Sequence, residues 1–87
     1  MARYLVERYL PSSAAGSLAE DERRLRDHAG PGARLLLSFY AEDDETCFHL
    51  LDCRSTAAVR RAGASAGLRI DRIVGVVSVG DAEAVAP

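Results

Sequence analysis

The segment ARLLLSFYAEDDETCFHLLDC, residues 33–53, contains two extended apolar runs joined by a short charged stretch. The runs at 33–41 and 46–53 are rich in leucine and aromatic residues, whereas the stretch EDDE at 42–45 is wholly acidic. Apolar runs separated by a polar cluster of this length are typical of a β-hairpin. The segment therefore predicts two consecutive antiparallel strands, the second and third of the fold.

The residues before this hairpin predict one strand followed by one helix. Residues 2–10, ARYLVERYL, form an apolar run that ends at Pro11. A small-residue loop at 12–16 precedes a helix predicted over residues 18–29. Ser17 and Glu20 have the spacing of a capping box at its start. Gly30 and the proline that follows it end the helix.

The residues after the hairpin predict a second helix and a fourth strand. Ser55 is a suitable N-cap for a helix over residues 55–66, which ends at Gly67. The stretch RIDRIVGVVSV at 69–79 holds the last strand. The element order is βαββαβ, which predicts an α+β, ferredoxin-like fold. Four antiparallel strands should carry two helices on one face, with the first and third strands at the centre.

The composition restricts the class of protein. The 87 residues predict a single domain over residues 1–80, with a flexible tail at 81–87. A net charge of −2 and a pI near 5.6 argue against nucleic acid as a partner. No apolar stretch approaches the length of a membrane helix, and the charged N-terminus does not resemble a secretory signal, so we expect a cytoplasmic protein without a membrane partner. All eleven basic residues are arginine, as expected for a GC-rich, actinobacterial-type genome.

Both faces of the predicted sheet are apolar. Side chains alternate along a strand, so Phe48 and Leu50 should lie on one face, and Cys47, His49 and Leu51 on the other. In the second strand, strict alternation places Leu35, Leu37 and Phe39 opposite Leu36 and Tyr40. Two helices cover only one face of a sheet this small. We therefore expect a homodimer that packs its open sheet faces together, with the cysteine–histidine face as one candidate interface.

Cys47 and His49 are the best candidate metal ligands. At positions i and i+2 of a strand they share a face, and a soft divalent metal such as nickel or zinc accepts both thiolate and imidazole. Two ligands do not complete a site, so further groups, water or the partner subunit would have to contribute. The alternative is that both residues are simply buried sheet residues.

Glu7 lies in the middle of the first strand between apolar neighbours, and Tyr9 shares its face. A carboxylate there needs a partner or a wet pocket. One interpretation is a ligand-binding cleft in which Glu7 converges with His49, because the first and third strands are adjacent in this fold. The other is an ion pair between Glu7 and one of the arginines.

Several short motifs follow one another in the order found in a known family. These are RYLVER at 3–8, Leu10–Pro11, Ser38–Phe39, Glu42–Asp43, Phe48, Asp52, Ser55, and Asp71–Arg72–Ile73 followed by Val76. In this order the chain resembles a family of small bacterial ferredoxin-like proteins, formerly of unknown function, that includes nickel-binding members. The resemblance spans residues 3–79. It implies a ferredoxin-like fold and a dimer, and Glu7, Ser38 and Asp52 match the family at its polar positions.

The departures from the family pattern fall on polar positions. A family histidine is Leu37 here, a family cysteine is His49, and an acidic residue of the last strand is Gly75. The resemblance thus implies a dimeric protein that binds a metal ion, nickel or zinc, or a small ligand without catalysis. Ligand-binding residues would be Glu7, Tyr9 and Ser38. Metal ligands would be His49, Glu7 and Cys47. Two alternatives stay open: a cofactor-independent enzyme of the dimeric α/β-barrel kind, such as a monooxygenase, and a regulatory or interaction module.

Overall fold

The predicted hairpin forms one side of the sheet. The computed structural model describes residues 1–80, and in it β2 spans Ala33–Ala41 and β3 spans Thr46–Cys53, with the bounds expected from the sequence. The strands pair as far as the turn, where Ala41 lies opposite Thr46. Glu45 closes this turn with a φ of 47°. The tail predicted at 81–87 lies outside the described residues.

The sheet has four antiparallel strands in the order β2-β3-β1-β4. β1 spans Ala2–Tyr9 and β4 spans Arg72–Val76, so the last strand is shorter than the stretch that predicted it. β1 pairs with both β3 and β4. The central position of the first and third strands is confirmed, and with it the ferredoxin-like α+β fold.

Two helices cover one face of the sheet. α1 spans Leu18–His28 and α2 spans Thr56–Ser65. Their apolar residues join strand residues in one core, formed by Val6, Leu25, Leu35, Leu51, Cys53, Ala58, Val59, Ala62, Ala66 and Leu68. The Ser55 side chain accepts a hydrogen bond from the Ala58 backbone N–H, which confirms the predicted cap. Within residues 1–80, neither helix has the length and apolar character needed to cross a membrane.

The start of α1 differs from the prediction. Residues 12–16 were expected as a loop, but Ser12–Ser17 form a 3₁₀ helix that leads directly into α1. Ser17 consequently has a helical backbone (φ −89°, ψ −4°) and its side chain caps no backbone N–H. A capping side chain needs an extended backbone to reach back over the first turn, so the capping box does not form. The Ser17 hydroxyl instead contacts the Ala14 carbonyl and the Asp21 carboxylate.

A β-bulge in β2 changes which leucines face the core. Leu35 lies opposite Leu51, whereas Leu37 lies opposite Leu50, so Leu36 is the extra residue. Leu35 is therefore buried at 5% exposure, while Leu37 is 53% exposed on the other face. Strict alternation, which places Leu35 and Leu37 together, is wrong at this point.

The helices cover the face that carries Cys47, His49 and Leu51. All three are buried, and Leu51 belongs to the core between the sheet and the helices. The cysteine–histidine face is therefore not available as a dimer interface. The open face carries instead a continuous set of apolar side chains, Leu5, Leu37, Phe39, Phe48, Leu50, Val74 and Val76. The rings of Phe39 and Phe48 stack there at 5.0 Å.

Candidate ligand-binding site

Three buried polar side chains meet between α1 and the sheet. Arg8 from β1, Asp21 from α1 and His49 from β3 are 7%, 5% and 1% exposed. Arg8 Nη2 donates to Asp21 Oδ2 at 3.1 Å, and Arg8 Nε donates to His49 Nε2 at 3.2 Å. The pairing of β1 with β3 brings Arg8 and His49 together. Val6 lies opposite His49, and Arg8, two residues further along β1, shares the face of Val6.

Among residues 1–80, Asp21 is the only carboxylate that Arg8 contacts. The Asp21 carboxylate also accepts hydrogen bonds from two further residues. Arg24 Nη2 donates to Asp21 Oδ1 at 2.7 Å, and the Ser17 hydroxyl donates to Oδ2 at 3.2 Å. Burial alone would raise the pKa of Asp21. The hydrogen bonds from Arg24 and Arg8 outweigh this effect and hold the pKa of the carboxyl below its ordinary value. Asp21 is therefore ionised at neutral pH.

Both ring nitrogens of His49 are engaged. Nδ1 lies 2.7 Å from the Ser38 hydroxyl oxygen, and Nε2 lies 3.2 Å from Arg8 Nε. Burial, together with the Arg8 charge, lowers the pKa of His49 to about 4. The imidazole is therefore neutral near pH 7.

Cys47 lies beside the same imidazole. Its Sγ is 3.6 Å from His49 Nε2 and 3.9 Å from Arg8 Nη2. Burial raises the pKa of the Cys47 thiol, against the opposing effect of the Arg8 charge. The thiol and the imidazole consequently favour their uncharged forms together.

A pocket of about 220 Å³ opens between α1 and the β2–β3 edge of the sheet, directly over these groups. It is lined by Leu18, Ala19, Glu22, Ser38, Phe39, Tyr40, Cys47 and His49. Ser38, Cys47 and His49 form its polar floor. Glu22 accepts two hydrogen bonds from Arg26 through one carboxylate oxygen. The Tyr40 hydroxyl donates to the Leu10 carbonyl oxygen at 2.7 Å. These bonds hold the lining side chains in place before any ligand enters.

Glu7 and Tyr9 do not belong to this pocket. Glu7 lies opposite Phe48, which places it on the open face of the sheet, away from His49. It forms an ion pair with Arg72, whose Nη1 is 3.4 Å from Oε2. Tyr9 is 56% exposed at the end of β1. The expected convergence of Glu7 with His49 is wrong, because Val6 and not Glu7 occupies the helix-covered face at that level.

The predicted metal ligands are therefore divided between the two faces. Cys47 and His49 lie side by side, but Glu7 is separated from them by the sheet. Across residues 1–80, no three or more His, Cys, Asp or Glu side chains are arranged to hold a metal ion. Arg8 also places a positive charge against His49 Nε2 and Cys47 Sγ. Binding of nickel or zinc stays a prediction, and it would require Arg8 to withdraw from both groups.

Arg8 and Asp21 were not identified from the sequence as site residues. One signal was present: Asp21 precedes Leu25 by four residues, so both lie on the same face of α1. A carboxylate on the buried face of a helix needs a cationic partner. Alternation along β1 places Arg8 on the face of Val6, which would have supplied that partner.

Fold and pocket together define a small α+β protein of the ferredoxin-like class. No known protein family matches the sequence, and no curated protein is detectably similar to it. Among solved structures, the chain resembles the crystal structure of the SCO4226 protein from Streptomyces coelicolor A3(2). The TM-score is 0.63 at 17% sequence identity, over 91% of this chain and 100% of that chain. At this identity the likeness shows the fold alone.

Proposed function

We propose that the chain is a small-molecule-binding protein that holds its ligand in the pocket beneath α1, without catalysing a reaction. The observation that carries this proposal is the polar floor of the pocket. Ser38, Cys47 and His49 converge there, and a buried ion pair between Arg8 and Asp21 supports them from behind. A concave site with a few convergent polar groups and a perturbed pKa is the usual form of a binding site.

The cost of the polar cluster supports a functional role. A buried ion pair is often no more stabilising than apolar side chains of the same volume, because both charges lose their hydration. A chain of 87 residues has little core to offset such a cost. The cluster would not be needed for packing alone, whereas it does position Ser38 and His49 at a pocket.

The protonation states favour binding over nucleophilic catalysis. An activated cysteine needs a thiolate, normally paired with an imidazolium. Burial acts in the opposite direction on both partners here, since it raises the pKa of Cys47 and lowers the pKa of His49. The proton therefore stays on sulfur at neutral pH.

The pocket can be tested by filling it. Ala19 lines the pocket and is solvent-exposed on α1, so the A19Y variant places a ring in the cavity without disturbing the core. We expect single-ring organic fragments to shift the amide NMR signals of Leu18, Ser38 and Tyr40 in the wild-type protein. The same fragments should leave the spectrum of A19Y unchanged.

A matched control uses the same substitution on the other helix. Ala64 is exposed on α2 and does not line the pocket, so A64Y should bind the fragments as the wild type does. Fragment shifts that persist in A19Y, or that map to other residues, would contradict the pocket as the binding site.

We further propose that two copies pack their open sheet faces together. The apolar side chains of that face support this arrangement, and four of its charged residues form pairs within one chain, Glu7 with Arg72 and Arg3 with Asp52. A second copy would thus bring apolar surface together with charges that are largely paired within its own chain. An interface of about 800 Å² on each partner would be typical of a stable dimer.

The dimer predicts a specific effect of Leu50→Glu. Leu50 lies in the central strand β3, opposite both Leu5 and Leu37 on the open face. We expect the wild type to sediment at twice the 9.3 kDa chain mass at micromolar concentration, and L50E to sediment as a monomer. The control A57E adds the same charge to an exposed position of α2 and should remain dimeric. A monomeric wild type would reject the proposed dimer.

A further inference from the structure

The direction of the hydrogen bonds around His49 is determined by Arg8. An arginine side chain can only donate, so Nε2 of His49 must accept the bond from Arg8 Nε at 3.2 Å. A neutral imidazole carries one proton on one ring nitrogen and accepts at the other, and here Nε2 is the acceptor. That proton must therefore lie on Nδ1.

The same reasoning extends to Ser38. The Nδ1–H group of His49 donates to the Ser38 hydroxyl oxygen at 2.7 Å. The hydroxyl group still has its own proton to donate. Among residues 1–80, no acceptor for that proton is found, and Ser38 lines the pocket. The hydrogen bonds from Arg8 to His49 and from His49 to Ser38 thus leave the Ser38 hydroxyl proton as a free donor at the floor of the pocket.

The charges around the pocket restrict what this donor can bind. Glu22 is the one carboxylate in the described lining, and no arginine lines the pocket. The positive charge of Arg8 lies behind the floor and is paired with Asp21. An anion would therefore meet the Glu22 carboxylate, and the cation beside it, Arg26, is already paired with that carboxylate. An uncharged acceptor, such as a carbonyl oxygen, meets no such repulsion.

We propose that the pocket takes an uncharged organic carbonyl compound whose oxygen accepts the Ser38 hydroxyl proton. This inference rests on the proposed function and names the chemical class of the ligand. The volume of about 220 Å³ suits one ring with small substituents, since a cavity of roughly 150 Å³ holds benzene. Leu18 and Ala19, both from α1, supply apolar surface for such a ring.

Three single-ring probes of similar shape test the proposal. Acetophenone carries a carbonyl group where α-methylstyrene carries a methylene group, and benzoate carries a charge. We expect wild-type protein to bind acetophenone roughly tenfold more tightly than α-methylstyrene, the effect of one net hydrogen bond, by NMR titration. S38A should bind the two neutral probes equally. The S38T variant, which keeps a hydroxyl group, should bind acetophenone more tightly than α-methylstyrene, as the wild type does.

A second measurement uses only the wild-type protein, so a variant that fails to fold cannot affect it. In ¹⁵N-labelled wild-type protein, the His49 ring should carry its proton on Nδ1, and a proton on Nε2 would overturn the hydrogen-bond chain. Equal binding of the two neutral probes to the wild type, or tighter binding of benzoate, would overturn the carbonyl proposal and leave the pocket intact. If none of the three probes binds, the proposed binding function itself fails.

Discussion

Among substitutions that remove a single charged side chain from residues 1–80, we expect Asp21→Ala to lower the free energy of unfolding most. The substitution removes the carboxylate that Arg8 contacts and leaves a buried guanidinium without a counter-ion. Breaking a buried ion pair in this way typically costs about 3–5 kcal/mol. Arg24 and the Ser17 hydroxyl lose the same partner. The free energy of unfolding, measured by urea denaturation, should fall by this amount.

A neighbouring carboxylate provides the matched control. Glu20 also pairs with an arginine, Arg23, on the same helix, but both side chains are exposed. E20A should leave the midpoint of urea denaturation nearly unchanged, because solvent screens an exposed pair. The double variant R8M/D21L should recover most of the stability that D21A loses, since it removes both buried charges. If D21A and E20A behave alike, the buried pair is not important for stability.

Acidification from pH 6.5 to 4 should destabilise the folded protein through His49. His49 has an ordinary pKa of 6.5 in the unfolded chain and a pKa of about 4 when folded. Between these values the unfolded chain binds a proton that the folded chain does not, so stability falls as pH falls from 6.5 to 4. The full loss is about 3 kcal/mol, from 1.36 kcal/mol per pKa unit. Arg8 opposes protonation of the ring, whereas Asp21 and Glu22 favour it.

The two histidines of the chain separate this effect from others. H49Q should lack the slope of stability between pH 6.5 and 4, whereas H28Q, which changes an exposed imidazole, should retain it. The pKa values of Asp21 and Asp52 are lowered from an ordinary value of 3.8, so their stabilisation is lost only at lower pH. A wild-type protein of constant stability down to pH 4.5 would show that His49 is not held neutral by burial.

Most of the fold follows from local signals along the chain. Polar clusters separate the apolar runs, and Ser55 and Gly67 delimit α2. The β-bulge at Leu36 has no such signal. Three consecutive leucines at 35–37 satisfy either register, and contacts across the sheet decide which of them is buried. The 3₁₀ helix before α1 is likewise compatible with a sequence of small residues that also suits a loop.

The candidate site could be predicted only in part. Cys47, His49 and Ser38 were identified, and they do lie together at one pocket. The face on which they lie could not be determined, because both sets of alternating side chains in β3 are apolar enough to be buried. The choice depends on the helices, which pack over Leu51 and Cys53. Once that face is known, Glu7 must lie on the opposite one, where it pairs with Arg72.

Phe39 belongs to two surfaces at once. It lines the pocket beneath α1, and its ring stacks on Phe48 on the open face of the sheet. The proposed ligand and the proposed second copy would therefore contact the same residue from opposite faces of the sheet. Thermodynamic linkage is reciprocal. If a bound fragment changes the dimer dissociation constant by some factor, dimerisation changes the dissociation constant of that fragment by the same factor. Measured affinities for this pocket would depend on protein concentration, a behaviour that a site within a monomer cannot show.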